Sequence, residues 1–239
     1  MIRYSPSISL PNIRLDFSKK TFHEEYLLVA GGRPPAVSWL REAASERVLF
    51  CIDRGADACR VAGTRPSLYL GDDDSASRDT LEWIKNTNIK TKRFPTEKDK
   101  TDTQLALKLL AEKQDAFIIL SGGFGGRFDH AFSLLYSLVG TNLHGCIADD
   151  REFLLVLHDR NAVTLHLSSI PKSVSLLPLS PVCSGVSIDG VHWPLNNSTL
   201  QQNEPYAVSN RLASPDHCIA VKNCDGILAL YLCWDELAL

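Results

Sequence analysis

The sequence predicts a two-part chain: an α/β part with a largely parallel sheet covered on both faces, then an all-β part. Three observations predict it. From Tyr26 to Ala148, short continuous apolar runs alternate with segments of helical spacing. After about Asp150 that spacing disappears, and short β candidates follow, punctuated by Pro, Gly, Asn and Ser as in a sandwich or small barrel. Between Ser67 and His130 the chain makes three acidic or glycine-rich stops, each where a strand should hand over to a helix.

Taken in order, the apolar runs at 26–30, 48–52, 67–70, 116–120 and 145–148 read as buried strands, with a weaker one at 89–94. Segments 36–46, 78–86, 102–113 and 129–139 carry the helical period; Leu105 with Leu109 and Ala131 with Leu135 repeat at i, i+4. Beyond them, 153–157, 162–167, 173–177, 207–210, 218–221 and 227–232 are β candidates, and the boundary between the parts is expected near 157–160.

The bulk properties exclude several classes. A net charge of −3 with 22% charged residues leaves no basic footprint for a nucleic acid. The start of the chain lacks a basic-then-apolar signal layout, and no apolar run is long enough to cross a bilayer. Seven scattered cysteines without a CxxC pair fit neither a disulfide scaffold nor a zinc site. Cys51, Cys146 and Cys233 sit in apolar runs, as core residues would. The expectation is a reduced, cytoplasmic protein without nucleic-acid or membrane partners.

In an open α/β sheet, turns at the carboxyl ends of the strands face one crevice. The first stop, Gly71-Asp72-Asp73-Asp74-Ser75, follows a strand directly. If the extended backbone continues, Asp72 and Asp74 point the same way and Asp73 the other. Paired carboxylates are hard-oxygen donors suited to Mg²⁺. A plain turn with a helix cap at Asp74 or Ser75 is the simpler reading. In the second stop, Lys98-Asp99-Lys100-Thr101-Asp102, either Thr101 or Asp102 can cap the next helix, which leaves Asp99 unexplained. The third runs through Gly122, Gly123, Gly125 and Gly126 to Arg127, Asp129 and His130. It is neither a P-loop nor a dinucleotide fingerprint. Its glycines let amides approach an anion, the helix start adds a favourable dipole, and Arg127 supplies a phosphate fork. Together these features point to a magnesium-bound polyphosphate. Asp53, Gly31-Gly32-Arg33 and the Trp193, Ser209, Asn210 set are softer candidates.

In this order, the segments resemble the thiamine pyrophosphokinase family. That family shows Ala-Asp-Gly-Gly, Gly-Asp-x-Asp-Ser, Lys/Gln-Asp-x-Thr-Asp and Gly-Gly-x-x-Gly-Arg-x-Asp-His/Gln, then Gly-x-x-Trp-x-Leu and Ser-Asn. The counterparts are Ile52-Asp53-Arg54-Gly55, the three stops above, Gly190-Val191-His192-Trp193-Pro194-Leu195 and Ser209-Asn210. The resemblance covers roughly residues 27–232. It implies a Rossmann-like three-layer α/β domain at 1–157 that binds ATP and magnesium, and an antiparallel β-sandwich at 158–239 that binds thiamine. It further implies a homodimer with the active site at the subunit interface. The implied reaction is attack of the thiamine hydroxyl on the β-phosphorus of ATP, giving thiamine diphosphate and AMP. Carried over, Asp72, Asp74 and Asp102 hold Mg²⁺, with Asp99 and Thr101 beside the nucleotide. Gly122, Gly123, Gly125, Gly126 and Arg127 cradle phosphates, and Asp129 faces the reacting centre. Asp53, Trp193, Ser209 and Asn210 serve thiamine. Arg54 departs from the family glycine and can swing outwards, contact a phosphate or pair with Asp57.

Three other readings use the same residues: a diphosphokinase acting on another alcohol such as a hydroxymethylpterin, a nucleotide-sugar transferase, and a sensor that binds without turnover. Retention of every metal carboxylate disfavours the sensor, and Trp193, Ser209 and Asn210 favour thiamine.

Overall fold

The computed structural model describes residues 6–72, 74–94, 99–113 and 115–234. Asp73 and Lys98, both singled out above, lie outside the described residues. In chain order the elements are β1 (Ser7–Leu10), β2 (Ile13–Phe17), β3 (Glu24–Val29), α1 (Val37–Ala43), β4 (Val48–Ile52), α2 (Gly55–Ala62), β5 (Leu68–Gly71), α3 (Arg78–Asn86), β6 (Lys90–Arg93), α4 (Asp102–Leu110), β7 (Ala116–Ser121), α5 (Phe128–Val139) and β8 (His144–Ala148). The remainder is all strand: β9 (Glu152–Leu157), β10 (Asn161–Leu167), β11 (Ser173–Pro178), β12 (Val182–Asp189), β13 (Leu195–Gln201), β14 (Cys218–Asn223) and β15 (Leu228–Cys233). The chain forms two compact units, residues 24–150, and residues 6–23 with 151–234.

In the α/β unit the strands run in the order β8-β7-β3-β4-β5-β6, and every registered pair among them is parallel. Every residue of β7 is buried, which explains its unbroken apolar run. Helix α2 neighbours α1 and α3, while α4 packs on α5 and against β4 and β5. From β3 the chain builds outward through β4, β5 and β6, then crosses back to lay β7 on the other side of β3. That reversal between β3 and β7 is a topological switch point, the place where open α/β sheets bind ligands outside the carboxyl ends of their strands.

In the β-rich unit, β1-β2-β10-β14-β12-β13 pair antiparallel, and so do β11-β15-β9. Burial along β10 alternates residue by residue, as expected of a strand with one packed face. Register shifts in β12 between Cys183 and Ile188 accommodate Gly185 at φ +65°. The expected strand at 207–210 is absent: Ser209 has φ +58° and only Asn210 makes a bridge, to Val174. A left-handed residue ends strand pairing there. All seven cysteines are free thiols; Cys51 and Cys146 are buried, whereas Cys233 is partly exposed. Among the described residues, no helix is long and apolar enough to cross a membrane.

Candidate functional site

The crevice of the α/β unit is built from backbone. Gly32 N–H donates to the Gly122 carbonyl at 2.9 Å and Arg33 N–H to the Phe124 carbonyl at 2.8 Å, so the turns after β3 and β7 are laced together. The close approach requires glycine at two points. A Cβ on Gly32 would lie 2.4 Å from the Gly122 oxygen; one on Gly122, at φ +71°, would lie 2.2 Å from the Ala30 oxygen. Gly125 and Gly126 also adopt positive φ, in an exposed stretch of the loop leading into α5.

An ion pair ties the turn after β3 to the end of β8. Arg33 donates through Nε at 3.0 Å and Nη2 at 2.6 Å to Oδ2 of Asp149, which is fully buried at the end of β8. The guanidinium also lies over the Phe124 ring, 5.9 Å from its centroid. Sequence reasoning noted the Gly31-Gly32-Arg33 turn but missed its partner. The signal was Asp149-Asp150 immediately after an apolar strand, an acid placed on the crevice side.

The candidate acids distribute as follows. β5 ends at Gly71, so strand alternation does not extend to Asp74. Asp72 accepts the Asp74 amide at 3.4 Å, and Ser75 donates to Asp74 at 2.6 Å. Neither Asp74 nor Ser75 caps α3, whose N-cap is Ser77, so the simple capping reading fails there. Asp53 adopts φ +49° after β4, and its carboxylate reaches Gly71, where an added Cβ would lie 2.5 Å from Oδ1 and 2.9 Å from the Tyr69 hydroxyl. Thr101, not Asp102, caps α4 through a reciprocal capping box with Gln104. Asp102 is thereby left with a buried carboxylate, 8% exposed, that the cap does not explain. Asp99 is exposed. Among the described residues, no three His, Cys, Asp or Glu side chains form a ready-made metal cluster.

Arg127 and Asp129 form an exposed two-armed ion pair, with Nε 3.1 Å from Oδ1 and Nη2 on Oδ2. That hydrogen bonding lowers the pKa of Asp129 and raises that of Arg127. Arg54 is exposed and donates to the Gly31 carbonyl, at 2.6 Å from Nη2, while Asp57 is held elsewhere. Asp57 is engaged by Ser77, at 2.5 Å from its hydroxyl, and by Thr80.

In the β-rich unit, the Asn210 side chain clamps the backbone of Trp193. Its Oδ1 accepts from the Trp193 amide at 3.1 Å and its Nδ2 donates to the Trp193 carbonyl at 2.8 Å. Ser209 N–H donates to the Ser175 hydroxyl at 3.0 Å. Trp193 is 58% exposed, and its ring meets His192 edge-on at 4.5 Å. It borders a cavity of about 130 Å³ lined also by Val174, Leu176, Tyr206, Val208 and Asn210. The structure therefore gathers Trp193, Ser209 and Asn210 in one unit, and Asp53, the three stops and Arg127 in the other.

These features define a class: an α/β unit whose glycine-rich turns meet at a switch point and whose acidic turns follow neighbouring strands, joined in one chain to a β-rich unit with an open aromatic pocket. Two family models match, "Thiamin pyrophosphokinase, catalytic domain" over residues 40–147 and "Thiamin pyrophosphokinase, vitamin B1 binding domain" over residues 162–228. The chain belongs to the thiamin pyrophosphokinase family. It is 28% identical over 189 residues to a thiamine pyrophosphokinase of Bacillus subtilis, covering 77% of this chain and 88% of that one. The crystal structure of a B. subtilis thiamine pyrophosphokinase superposes with a TM-score of 0.77 at 24% identity, covering 89% of this chain and all of that one. That of a Geobacillus thermodenitrificans thiamin pyrophosphokinase gives 0.74 at 25% identity, covering 90% and all of the respective chains.

Proposed function

We infer that this chain transfers the pyrophosphoryl group of ATP to the hydroxyl of thiamine, yielding thiamine diphosphate and AMP. The observation that carries the reading is the switch-point crevice. A glycine loop leads there into the start of α5, and its amides, the helix start and the fork of Arg127 would serve a polyphosphate. Phosphoryl-type transfer asks for positioning and charge neutralisation more than covalent work, and this arrangement offers both.

The donor set fits magnesium. Asp72 and Asp74 follow β5, and Asp102 opens α4, which packs against β5. Mg²⁺ takes few protein ligands and keeps waters and phosphate oxygens, so no preformed cage is required. These three would hold the ion, which when bound offsets charge on the polyphosphate, with Asp99 and Thr101 near the nucleotide. Gly122, Gly123, Gly125 and Gly126 would cradle phosphate oxygens. In the free chain Arg127 rests on Asp129; a phosphate that recruits Arg127 would release Asp129, whose carboxylate can then accept the thiamine hydroxyl proton. Trp193 would pack on the thiamine rings, Ser209 and Asn210 would order the pocket rim, and Asp53 would also serve thiamine.

The finer architecture belongs to this proposal. The α/β unit is a Rossmann-like three-layer nucleotide-binding domain, the β-rich unit a thiamine-binding sandwich, and the protein a cytoplasmic homodimer with its active site at the subunit interface. The reaction is tested by incubating the protein with thiamine, ATP and Mg²⁺ and separating products. Equimolar thiamine diphosphate and AMP is the expected result. Thiamine monophosphate with ADP would overturn β-phosphorus attack, and no product despite ATP binding would favour another alcohol or a sensor. Sedimentation at micromolar concentration should give a dimer; a strict monomer removes the shared site.

A further inference from the structure

The β-rich unit holds a second cluster of reactive side chains, apart from Trp193 and its pocket. β10 pairs with β14 so that His166 lies directly opposite Cys218, and with β2 so that Thr164 lies opposite Asp16. Side chains two apart share a face, so Asp16, His166 and Cys218 emerge on the same side of the sheet. Cys218 Sγ is 3.1 Å from His166 Nδ1, and His166 Nε2 is 2.9 Å from Asp16 Oδ2. Asp16 is itself held: Ser7 donates to Oδ1 at 2.7 Å and Arg14 to Oδ2 at 2.9 Å. A thiol, a base and a carboxylate that orients the base stand in a row.

The cluster is open to solvent: Cys218 is partly exposed, and the side chains of His166 and Asp16 are 37% and 33% exposed. A groove of about 460 Å³ runs along the same face, lined by Asp16, Thr164, Ala220, Lys222, Asp189 and Asn196. Of the three, Asp16 borders the groove, and a thiol packed for structure alone would not need the base. The thiol proton has two acceptors in reach, His166 and the Asp216 carbonyl 3.3 Å from Sγ. Only the imidazole can take it away.

We propose that Cys218, with His166 as its base and Asp16 as the orienting carboxylate, is an activated thiol that small hydroperoxides oxidise. His166 takes the thiol proton, and Asp16 stabilises the imidazolium. The thiolate attacks the terminal peroxide oxygen; an S–O bond forms and the O–O bond breaks. The leaving alkoxide, or hydroxide from hydrogen peroxide, takes the proton from the imidazolium. The thiol becomes a sulfenic acid and the hydroperoxide becomes an alcohol or water, a balanced two-electron exchange.

The test uses the whole chain. Freshly reduced protein is treated briefly with limiting iodoacetamide at pH 7, and mass spectrometry of the digest gives the label at each cysteine. Cys224 and Cys233 are of comparable exposure class and serve as internal standards. Cys218 should label about tenfold faster than either, because His166 stands 3.1 Å from its sulfur to take the proton. That advantage should disappear in guanidinium-unfolded protein and in His166→Gln, and hydrogen peroxide followed by dimedone should mark Cys218. Equal labelling of the three cysteines in the native protein overturns the proposal, as does an advantage that survives His166→Gln. A fast Cys218 that gives no dimedone adduct overturns the peroxide chemistry. Should His166→Gln fail to fold, the native-against-unfolded comparison and the adduct decide.

Discussion

The two units hold their proposed ligand groups in opposite ways. In the α/β unit the scaffold is backbone: Gly32 and Gly122 bring two loops into hydrogen-bonding contact, and most candidate side chains project from turns without bracing them. In the β-rich unit a side chain does the bracing, because Asn210 grips both peptide groups of Trp193. Charge recognition can rest on amides that any sequence supplies once glycine permits the turn. Aromatic recognition needs a particular side chain held by another. Substitutions should therefore separate stability from turnover in the first unit and mix them in the second.

The largest effect is expected where the backbone scaffold does depend on side chains. Arg33→Ala removes the guanidinium from Asp149, whose side chain has no exposure, and unties the turn after β3 from the end of β8. Breaking a buried pair from one side costs about 3–5 kcal/mol. Urea unfolding should show that loss, with a raised KM for ATP in whatever folds. An unfolding midpoint close to wild type would mean that the backbone contacts of the turn after β3 hold it in place without the ion pair.

Asp102→Asn should do the reverse. The capping box belongs to Thr101 and Gln104, so the helix keeps its start. A carboxylate acting on the polyphosphate should cost on the order of 10²–10³ in kcat when neutralised. Turnover that falls less than tenfold would return Asp102 to a structural role.

How far the sequence carried the reading differs between the units for the same reason. The run at 116–120 and the helix at 78–86 were legible because burial on both faces or on one stripe writes itself into local periodicity. Helix α2 was not, because its buried face is Gly55, Ala56, Cys59 and Ala62, too small to stand out as an apolar stripe. β13 hid behind Asn196, Asn197 and Ser198, which read as a turn yet form an exposed strand. β2 was silent because its partner β10 lies more than 140 residues away, and β1 is added to the sheet only through β2. In the site, glycines and acids at strand ends were visible in order. The Arg33–Asp149 pair, separated by 116 residues, and the resting contact of Arg127 with Asp129 were not, since spacing says nothing about which charges meet.

Trp193→Ala should raise KM for thiamine roughly tenfold, the worth of about 1–2 kcal/mol of ring and cation contact, and leave KM for ATP nearly unchanged. Asn210→Ala should reproduce that change and also lower stability by about 1 kcal/mol, because two hydrogen bonds to the Trp193 backbone go with it. If Asn210→Ala alters KM without any loss of stability, the clamp is not what holds the indole.

The smallest effect lies back in the α/β unit, where one side chain does for α3 what Asn210 does for Trp193. Ser77 makes no cap bond of its own, and Asp57 on α2 accepts from the Ser77 amide and hydroxyl and from Thr80. Burial pushes the Asp57 pKa up, but the hydrogen bonds from Ser77 and Thr80 and the charge of Arg60 outweigh it, so the folded value is depressed. A depressed folded value means that folding favours the ionised form. The contribution is full above the unfolded carboxylate pKa of about 3.9 and is lost as pH falls through the lower folded value. Asp57→Asn should therefore cost about 1 kcal/mol at pH 7, the usual worth of a helix cap. Its gap from wild type in urea unfolding should close between pH 4 and the folded pKa. A gap that stays constant down that range would mean the role is shape, not charge. Helix α3 would then be held by the burial of Thr80 and Ile84, and bracing by a single side chain would be peculiar to the β-rich unit.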